Sequence, residues 1–257
     1  MIVGGPGRID LNVDIGEGFP HDEALLDFAT SANVCGGEHA GSWELTQATV
    51  ELCRSKGTRI GVHPGYPDRP AMGRRPMLIE EHSEYLKSLF GQVDRFVKLA
   101  RPEYLKPHGA FYNQTAQILP PTWVPTDDRW KALIDEDPIG QVLGNIPGAG
   151  SLGMILRIHR LPLMGLAGTA HEEIAKRAEV FLFREGFADR AYREDGTLVP
   201  RSEPGAVYDD PALVRAQVLR LAAKVDSICL HGDTPDALGF AELVTKTLND
   251  AGYEVGA

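Results

Sequence analysis

Four short apolar runs in this chain each end on a side chain that can do chemistry. They are Ile9-Asp-Leu-Asn-Val-Asp14, Thr58-Arg-Ile-Gly-Val-His63, Tyr104-Leu-Lys-Pro-His108 and Ser227-Ile-Cys-Leu-His231. Each reads as a strand that turns from apolar to polar at its C-terminal end. Side chains alternate faces along a strand. Asn12 therefore shares a face with Asp14, Gly61 with His63, and Lys106 with His108. Ser227, Cys229 and His231 share another, with Ile228 and Leu230 opposite. The aliphatic faces suit a covering helix layer, and the polar-ended faces suit the inside of a barrel or cleft.

Between these runs the pattern takes the period of helices. Ser42 can cap a helix that puts Leu45, Ala48, Leu52 and Cys53 on one face and stops at Gly57. Further helices are predicted over residues 22–30, 79–100, 171–178, 211–225 and 235–251, with Asp210 and Pro211 as a cap and first helical residue. Strands are predicted over residues 8–14, 32–34, 58–63, 104–108, 161–166, 179–183 and 227–231. Seven alternating units imply a parallel sheet, open or closed. Such folds carry their active groups just past the strand C-terminal ends.

Residues 116–150 break the alternation with five prolines, Trp123 and Trp130. That is too long for an ordinary connection, so it reads as an insertion: a surface excursion, a lid or an interface element. The expectation is one domain over residues 1–257 carrying this insertion.

Composition narrows the choice of partner. A net charge of −10 speaks against nucleic acid and anionic membranes. Cys35, Cys53 and Cys229 are too widely spaced for a disulfide framework or a zinc signature. No stretch approaches a membrane span, and the first residues lack the basic and apolar regions of a leader, so a cytoplasmic location is expected.

A single strand-end histidine is usually structural, but three at equivalent positions point to a shared site. Imidazole serves there as acid, base or metal ligand. Asp14 suits a general base or a metal ligand, or else a loop cap. The glycine-rich turn from Asn33 to Ser42 could offer backbone N–H groups to an anion, or simply be a tight turn. Gly73-Arg74-Arg75 could hold a carboxylate or phosphate. Gly148-Ala-Gly150-Ser-Leu-Gly153 has the spacing of a dinucleotide fingerprint but follows no predicted strand, so that reading is rejected. No Gly-Lys pair occurs, so a phosphate loop of the Walker type is absent.

Taken together, several motifs resemble the LamB/YcsF family from about residue 8 to the C-terminus. They are Asp10-Leu-Asn-Val-Asp14-Ile-Gly-Glu17, Ser31-Ala-Asn33, His39-Ala-Gly41, His63-Pro64, Gly73-Arg-Arg75 and Lys106-Pro-His108-Gly. Phe187-Ala-Asp189-Arg190, Leu198-Val-Pro-Arg201 and Ser227-Ile-Cys-Leu-His231-Gly-Asp233 complete the series. The chain departs from the family pattern at Glu38, where an apolar residue is usual, and at Ser42, where an acid is usual. The resemblance implies a TIM-like, seven-stranded (β/α) barrel akin to the glycoside hydrolase/deacetylase superfamily. The family includes the A subunit of prokaryotic 5-oxoprolinase. The implied activity is therefore ATP-dependent opening of 5-oxoproline, or a related lactam, to glutamate with partner subunits B and C. ATP would be handled by the complex and not by this chain alone.

On that reading Asp14 is the general base, and His63, His108 and His231 move protons and stabilise the oxyanion. Lys106 and Arg75 hold a carboxylate or phosphate. Asn12, Asn33, His39 and Asp189 complete the substrate site. This reading assigns no metal ligand and no cofactor-binding residue. A second reading is a metal-dependent deacetylase-like hydrolase with Asp14, His39 and His63 as ligands. A third is a substrate-binding subunit that does no chemistry.

Overall fold

The computed structural model describes residues 7–78, 81–117, 146, 148–233 and 236–256. Seven parallel strands close on themselves: β1 (Arg8–Ile15), β2 (Ser31–Cys35), β3 (Arg59–His63), β4 (Tyr104–Leu105), β5 (Leu163–Leu166), β6 (Leu182–Phe187) and β7 (Ser227–His231). Neighbours in sequence pair in order, and β7 returns to β1, so the sheet is a barrel of the TIM-like class. The register sets Asp14 beside Asn33 on one side and His231 on the other, and Cys35 beside His63. A short eighth strand, β8 (Glu254–Val255), pairs with the start of β1 outside the ring. The sequence reading missed β8.

The connecting helices are α1 (Asp22–Leu25), α2 (Trp43–Lys56), α3 (His82–Ala100), α4 (Gly109–Thr115), α5 (Ala149–His159), α6 (Ala170–Arg177), α7 (Pro211–Ala222) and α8 (Ala237–Asp250). Their ends follow local chemistry. Ser42 Oγ accepts from the Leu45 N–H, and Gly57 closes α2 in the left-handed conformation. Asp210 accepts from the Ala212 N–H, with Pro211 following it. The apolar strand face packs outward on the helices: Leu11, Val13, Ile15, Val34, Val62, Ile228 and Leu230 are all buried in one core.

The barrel interior is polar and organised in layers. At the base, Asp10 accepts from Thr30 Oγ1 (2.6 Å), Ser31 Oγ (2.5 Å) and Ser227 Oγ, and pairs with Arg59 (3.3 Å). Above it, Asn12 donates to Ser227 Oγ (2.8 Å), Asn33 donates to Asn12 Oδ1 (2.7 Å), and the Tyr104 hydroxyl donates to Asn33 Oδ1 (2.7 Å). Gly61 makes room for that tyrosine, because a Cβ there would sit well inside van der Waals contact of the Tyr104 ring. Gly61→Ala should therefore lower stability by about 1–3 kcal/mol, as overpacked cores do. A denaturation midpoint equal to wild type would show that the ring can step aside.

Several predicted elements shift. The expected helix over 22–30 is helical only at Asp22–Leu25. The strand expected over 104–108 pairs only at Tyr104–Leu105, yet the Lys106 and His108 amides still donate to Val62 and Pro64 carbonyls, so its alternation persists. The strand expected over 179–183 lies at Leu182–Phe187, after a turn in which Glu179 takes positive φ. Helix α5 was not anticipated. Its cap is Gly148 (φ +81), so the stretch with dinucleotide-fingerprint spacing forms the first turns of the helix. Of the expected insertion over residues 116–150, residues 118–145 and 147 lie outside the described residues.

Candidate active site

A cavity of about 1000 Å³ opens at the C-terminal mouth of the barrel, and Asp14, His63, His108 and His231 all line it. The shared strand parity thus does converge on one place.

Lys106 is the centre of the floor. Its ammonium reaches Asp14 Oδ1 (2.8 Å), Glu185 Oε1 (2.7 Å), Asn12 Oδ1 (3.1 Å) and Cys229 Sγ (3.0 Å). Burial alone would pull this lysine down, but Asp14, Cys229 and Glu185 outweigh it and hold it well above its ordinary value. Burial alone would likewise raise Asp14, but Lys106 and then His63 outweigh it and keep the carboxyl well below the usual range. Asn33 also donates to Asp14 Oδ1 (2.8 Å). These contacts weaken the case for Asp14 as general base. A carboxylate so strongly stabilised as an anion takes up a proton poorly near neutral pH. It is better built to anchor Lys106 and to present fixed negative charge.

The best-formed acid–base unit is elsewhere. His231 Nδ1 lies 2.8 Å from Asp189 Oδ1, and the pair is nearly buried. Burial would raise Asp189, but His231 and then Arg201 and Arg190 keep it low and charged. A carboxylate that fixes one ring nitrogen sets the tautomer and orientation of the imidazole. Asp189 acts behind His231 and is not itself among the residues lining the cavity.

His63 and His108 stand side by side, with His63 Nε2 2.9 Å from His108 Nδ1. Burial, followed by the neighbouring rings of His39 and His63, pushes His108 well below the ordinary histidine value, so its imidazole is neutral. His39 lies behind the wall, fully buried, stacked on His108 at 3.8 Å between ring centroids. Its Nε2 meets Glu17 Oε1 at 3.3 Å. Gly65 is needed for this stack, because a Cβ there would stand 2.5 Å from His39 Nδ1. Contact between His39 and a substrate is therefore not supported. Its partners are other side chains of the site.

Arg75 is a third correction. Its guanidinium turns away to Glu81 (2.8 and 3.1 Å), the Tyr85 hydroxyl and Asp68 (3.6 Å). The irregular loop after Gly73 (φ +64) sends the neighbouring Arg74 to the cavity side instead. Arg74 and Arg201 share the single carboxylate of Asp233, at 2.5 and 3.1 Å. Two guanidinium groups on one carboxylate leave a net positive charge at the rim. Asn12 and Asn33 do not reach the cavity either; they lie beneath it and hold Asp14 and Lys106 from below.

Sequence reasoning gave no role to Glu185, Arg201, Asp233 or Glu17, and of the arginine pair it singled out Arg75 rather than Arg74. Arg201 and Asp233 were visible within the family motifs but carried no signal of their own.

A closed parallel barrel with acids, bases and cations at its strand C-terminal ends is the plan of a TIM-like (β/α) barrel enzyme. The chain belongs to the LamB/YcsF family, whose model matches residues 9–118 and 152–257, either side of the irregular segment. A protein of Neisseria meningitidis serogroup C, named as the A subunit of 5-oxoprolinase, is 38% identical, covering 97% of this chain and 99% of the relative. A Pyrococcus furiosus protein of the same name is 34% identical over 96% of each chain. That shared name places those relatives in multi-subunit assemblies. The crystal structure of a lactam utilization protein from Thermus thermophilus superposes with a TM-score of 0.75 and 29% identity, covering 97% of this chain and 99% of the other. Among the described residues no helix is long and apolar enough to cross a membrane.

Proposed function

We propose that this chain is the A subunit of an ATP-dependent 5-oxoprolinase, carrying the site at which water opens the lactam to give glutamate. The observation that carries this reading is the near-full-length similarity, at 34–38% identity, to proteins named as the A subunit of 5-oxoprolinase. The cavity chemistry supports it. The net positive charge left by Arg74 and Arg201 on Asp233 suits the substrate's carboxylate. His231, oriented by Asp189, takes a proton from the attacking water and returns one to the leaving ring nitrogen. The buried Lys106 ammonium offers fixed positive charge to the developing oxyanion. The lactam is a stable amide that needs activation, and on this reading the nucleotide chemistry falls to the partner subunits, B and C. A cytoplasmic location fits substrates of this kind.

The test is reconstitution. The chain is combined with candidate B and C subunits, and glutamate release from 5-oxoproline is followed with and without ATP. Release that needs all three subunits and ATP is the expected result. The isolated chain should show no measurable ATP hydrolysis. Binding of 5-oxoproline with no turnover in any combination would instead favour a subunit that only presents substrate.

A further inference from the structure

At the cavity wall, electron-pair donors face one another with too few hydrogens between them. His63 Nδ1 lies 2.8 Å from the Lys106 carbonyl oxygen, so that nitrogen carries the hydrogen. His108 Nε2 lies 2.8 Å from the Met72 carbonyl oxygen, so it too is an N–H. The remaining nitrogens, His63 Nε2 and His108 Nδ1, are 2.9 Å apart, and in neutral rings both are bare lone pairs. The carboxylate of Glu17 adds a third acceptor, with Oε1 3.2 Å from His108 Nδ1 and 3.9 Å from His63 Nε2. His39 Nε2 approaches the same oxygen at 3.3 Å. All four residues are nearly or fully shielded from solvent, their side chains at most 6% exposed. Buried acceptors in contact repel one another, and a cation placed among them removes the conflict.

We propose that Glu17, His39, His63 and His108 form a site for one divalent transition-metal ion of the zinc class. Their ligand atoms all lie within 4.8 Å of one another. Zinc bonds of about 2.0–2.2 Å put tetrahedral ligand atoms about 3.3–3.5 Å apart, close to the contacts here. Three imidazoles and a single carboxylate suit zinc and its neighbours in the series better than magnesium or calcium. The carbonyls of Lys106 and Met72 hold the far nitrogens of two rings, which is how metal-binding histidines are oriented. His171 shows the contrast. It accepts from the Leu166 N–H (3.0 Å) and its other nitrogen faces Thr115 Oγ1 (2.8 Å). Burial pushes it down to about 3, so it is a neutral, satisfied core histidine with no need of a cation.

This ligand set differs from the one expected from sequence. Asp14 binds Lys106 through Oδ1 and groups with Cys229 and His231, with its Oδ2 3.5 Å from His63 Nε2 at the edge of the site, while Glu17 and His108 join His39 and His63. Glu17, His63 and His108 also line the cavity, so an ion there would face a bound molecule and could act as a Lewis acid on its oxygen. The site goes beyond the proposed hydrolase reading and is tested without it.

The full-length chain is purified without chelator or added metal and its metal content measured. Chelator-stripped protein is then titrated with zinc chloride by calorimetry and with cobalt(II) by visible absorption. One ion per chain, bound at micromolar affinity or tighter, is expected, with cobalt bands of a low-coordinate site. Glu17→Gln, nearly isosteric, and His108→Gln should each weaken binding by at least about 100-fold, since loss of mere outer partners already costs about 10–100-fold. Cys229→Ser should leave binding unchanged, which separates this site from the other cluster. Absence of zinc heat and cobalt bands would overturn the proposal, leaving a proton shared between His63 and His108 as the resolving charge. So would undiminished binding in folded Glu17→Gln protein. Neither result depends on lactam turnover.

Discussion

Lys106→Met should cost the fold about 3–5 kcal/mol, the range for removing one partner of a buried ion pair. The lysine side chain is 2% exposed and its ammonium is shared between Asp14 and Glu185, whose side chains are 11% and 0% exposed. Methionine fills the volume and keeps the apolar stem, so the loss is one of charge. Two carboxylates are then left in the barrel without their counter-ion, and Asn12 and Cys229 lose a donor. The pH dependence follows. In wild type the Asp14 carboxyl is held below its unfolded value, so its contribution to stability is full above that value and fades as pH falls through the folded one. In the variant the buried Asp14 carboxyl, without Lys106, binds a proton more readily than in wild type, so the variant gains relative stability in acid. The gap between the two proteins should therefore be widest at neutral pH and narrow under mildly acid conditions. Urea unfolding at both pH values measures it. A gap that stays constant would mean that the pair is solvated and that the burial argument fails.

What the sequence made legible, and what it hid, follows from the range of the interactions. Period-two alternation is local. It correctly put Asp14, His63, Lys106, His108 and His231 on inward faces, and the closed ring brings them to one mouth. The residues that complete the site depend on geometry that alternation does not encode. Glu185 sits in a strand reading Leu-Phe-Arg-Glu-Gly-Phe, where Arg184 and Gly186 interrupt the apolar rhythm, and the apolar residues just before it drew the predicted strand too early. Glu17 lies past the end of β1 between two glycines of positive φ, Gly16 and Gly18. Glycine adopts such values readily, so the sequence announces a turn there without giving its direction. Arg74 and Arg75 were indistinguishable as letters, and only the path of the irregular loop sends one to Asp233 and the other to Glu81. Helix α5 was hidden because its glycines, Gly148, Gly150 and Gly153, mimic a loop motif, although Leu152, Ile155 and Leu156 bury a good apolar face.

His231→Asn should lower kcat for lactam opening in the reconstituted complex by about 10²–10⁴-fold, the usual contribution of a positioned acid–base group. The argument rests on the pairing with Asp189 at 2.8 Å, at the end of β7 and on the cavity wall, where Phe187 stacks against the ring at 5.5 Å between centroids. That ring is clamped from two sides, so little rotational freedom need be lost when substrate arrives. Asparagine preserves polarity at the strand end, and the fold should melt near wild type, because Lys106 and the layers below it are untouched. KM should change little, since binding of the substrate carboxylate is assigned to Arg74 and Arg201, and a loss confined to kcat marks a group that acts in the transition state. Asp189→Asn should give a smaller loss with the same split, because the imidazole stays but loses the charge that stabilises its protonated form. Arg201→Gln should do the reverse and raise KM first. If folded His231→Asn protein keeps near-wild-type kcat, proton transfer passes to the His63–His108 pair and the dyad is structural. If Asp189→Asn is the more damaging of the two, the carboxylate itself is meeting substrate, and the orienting role assigned to it is wrong.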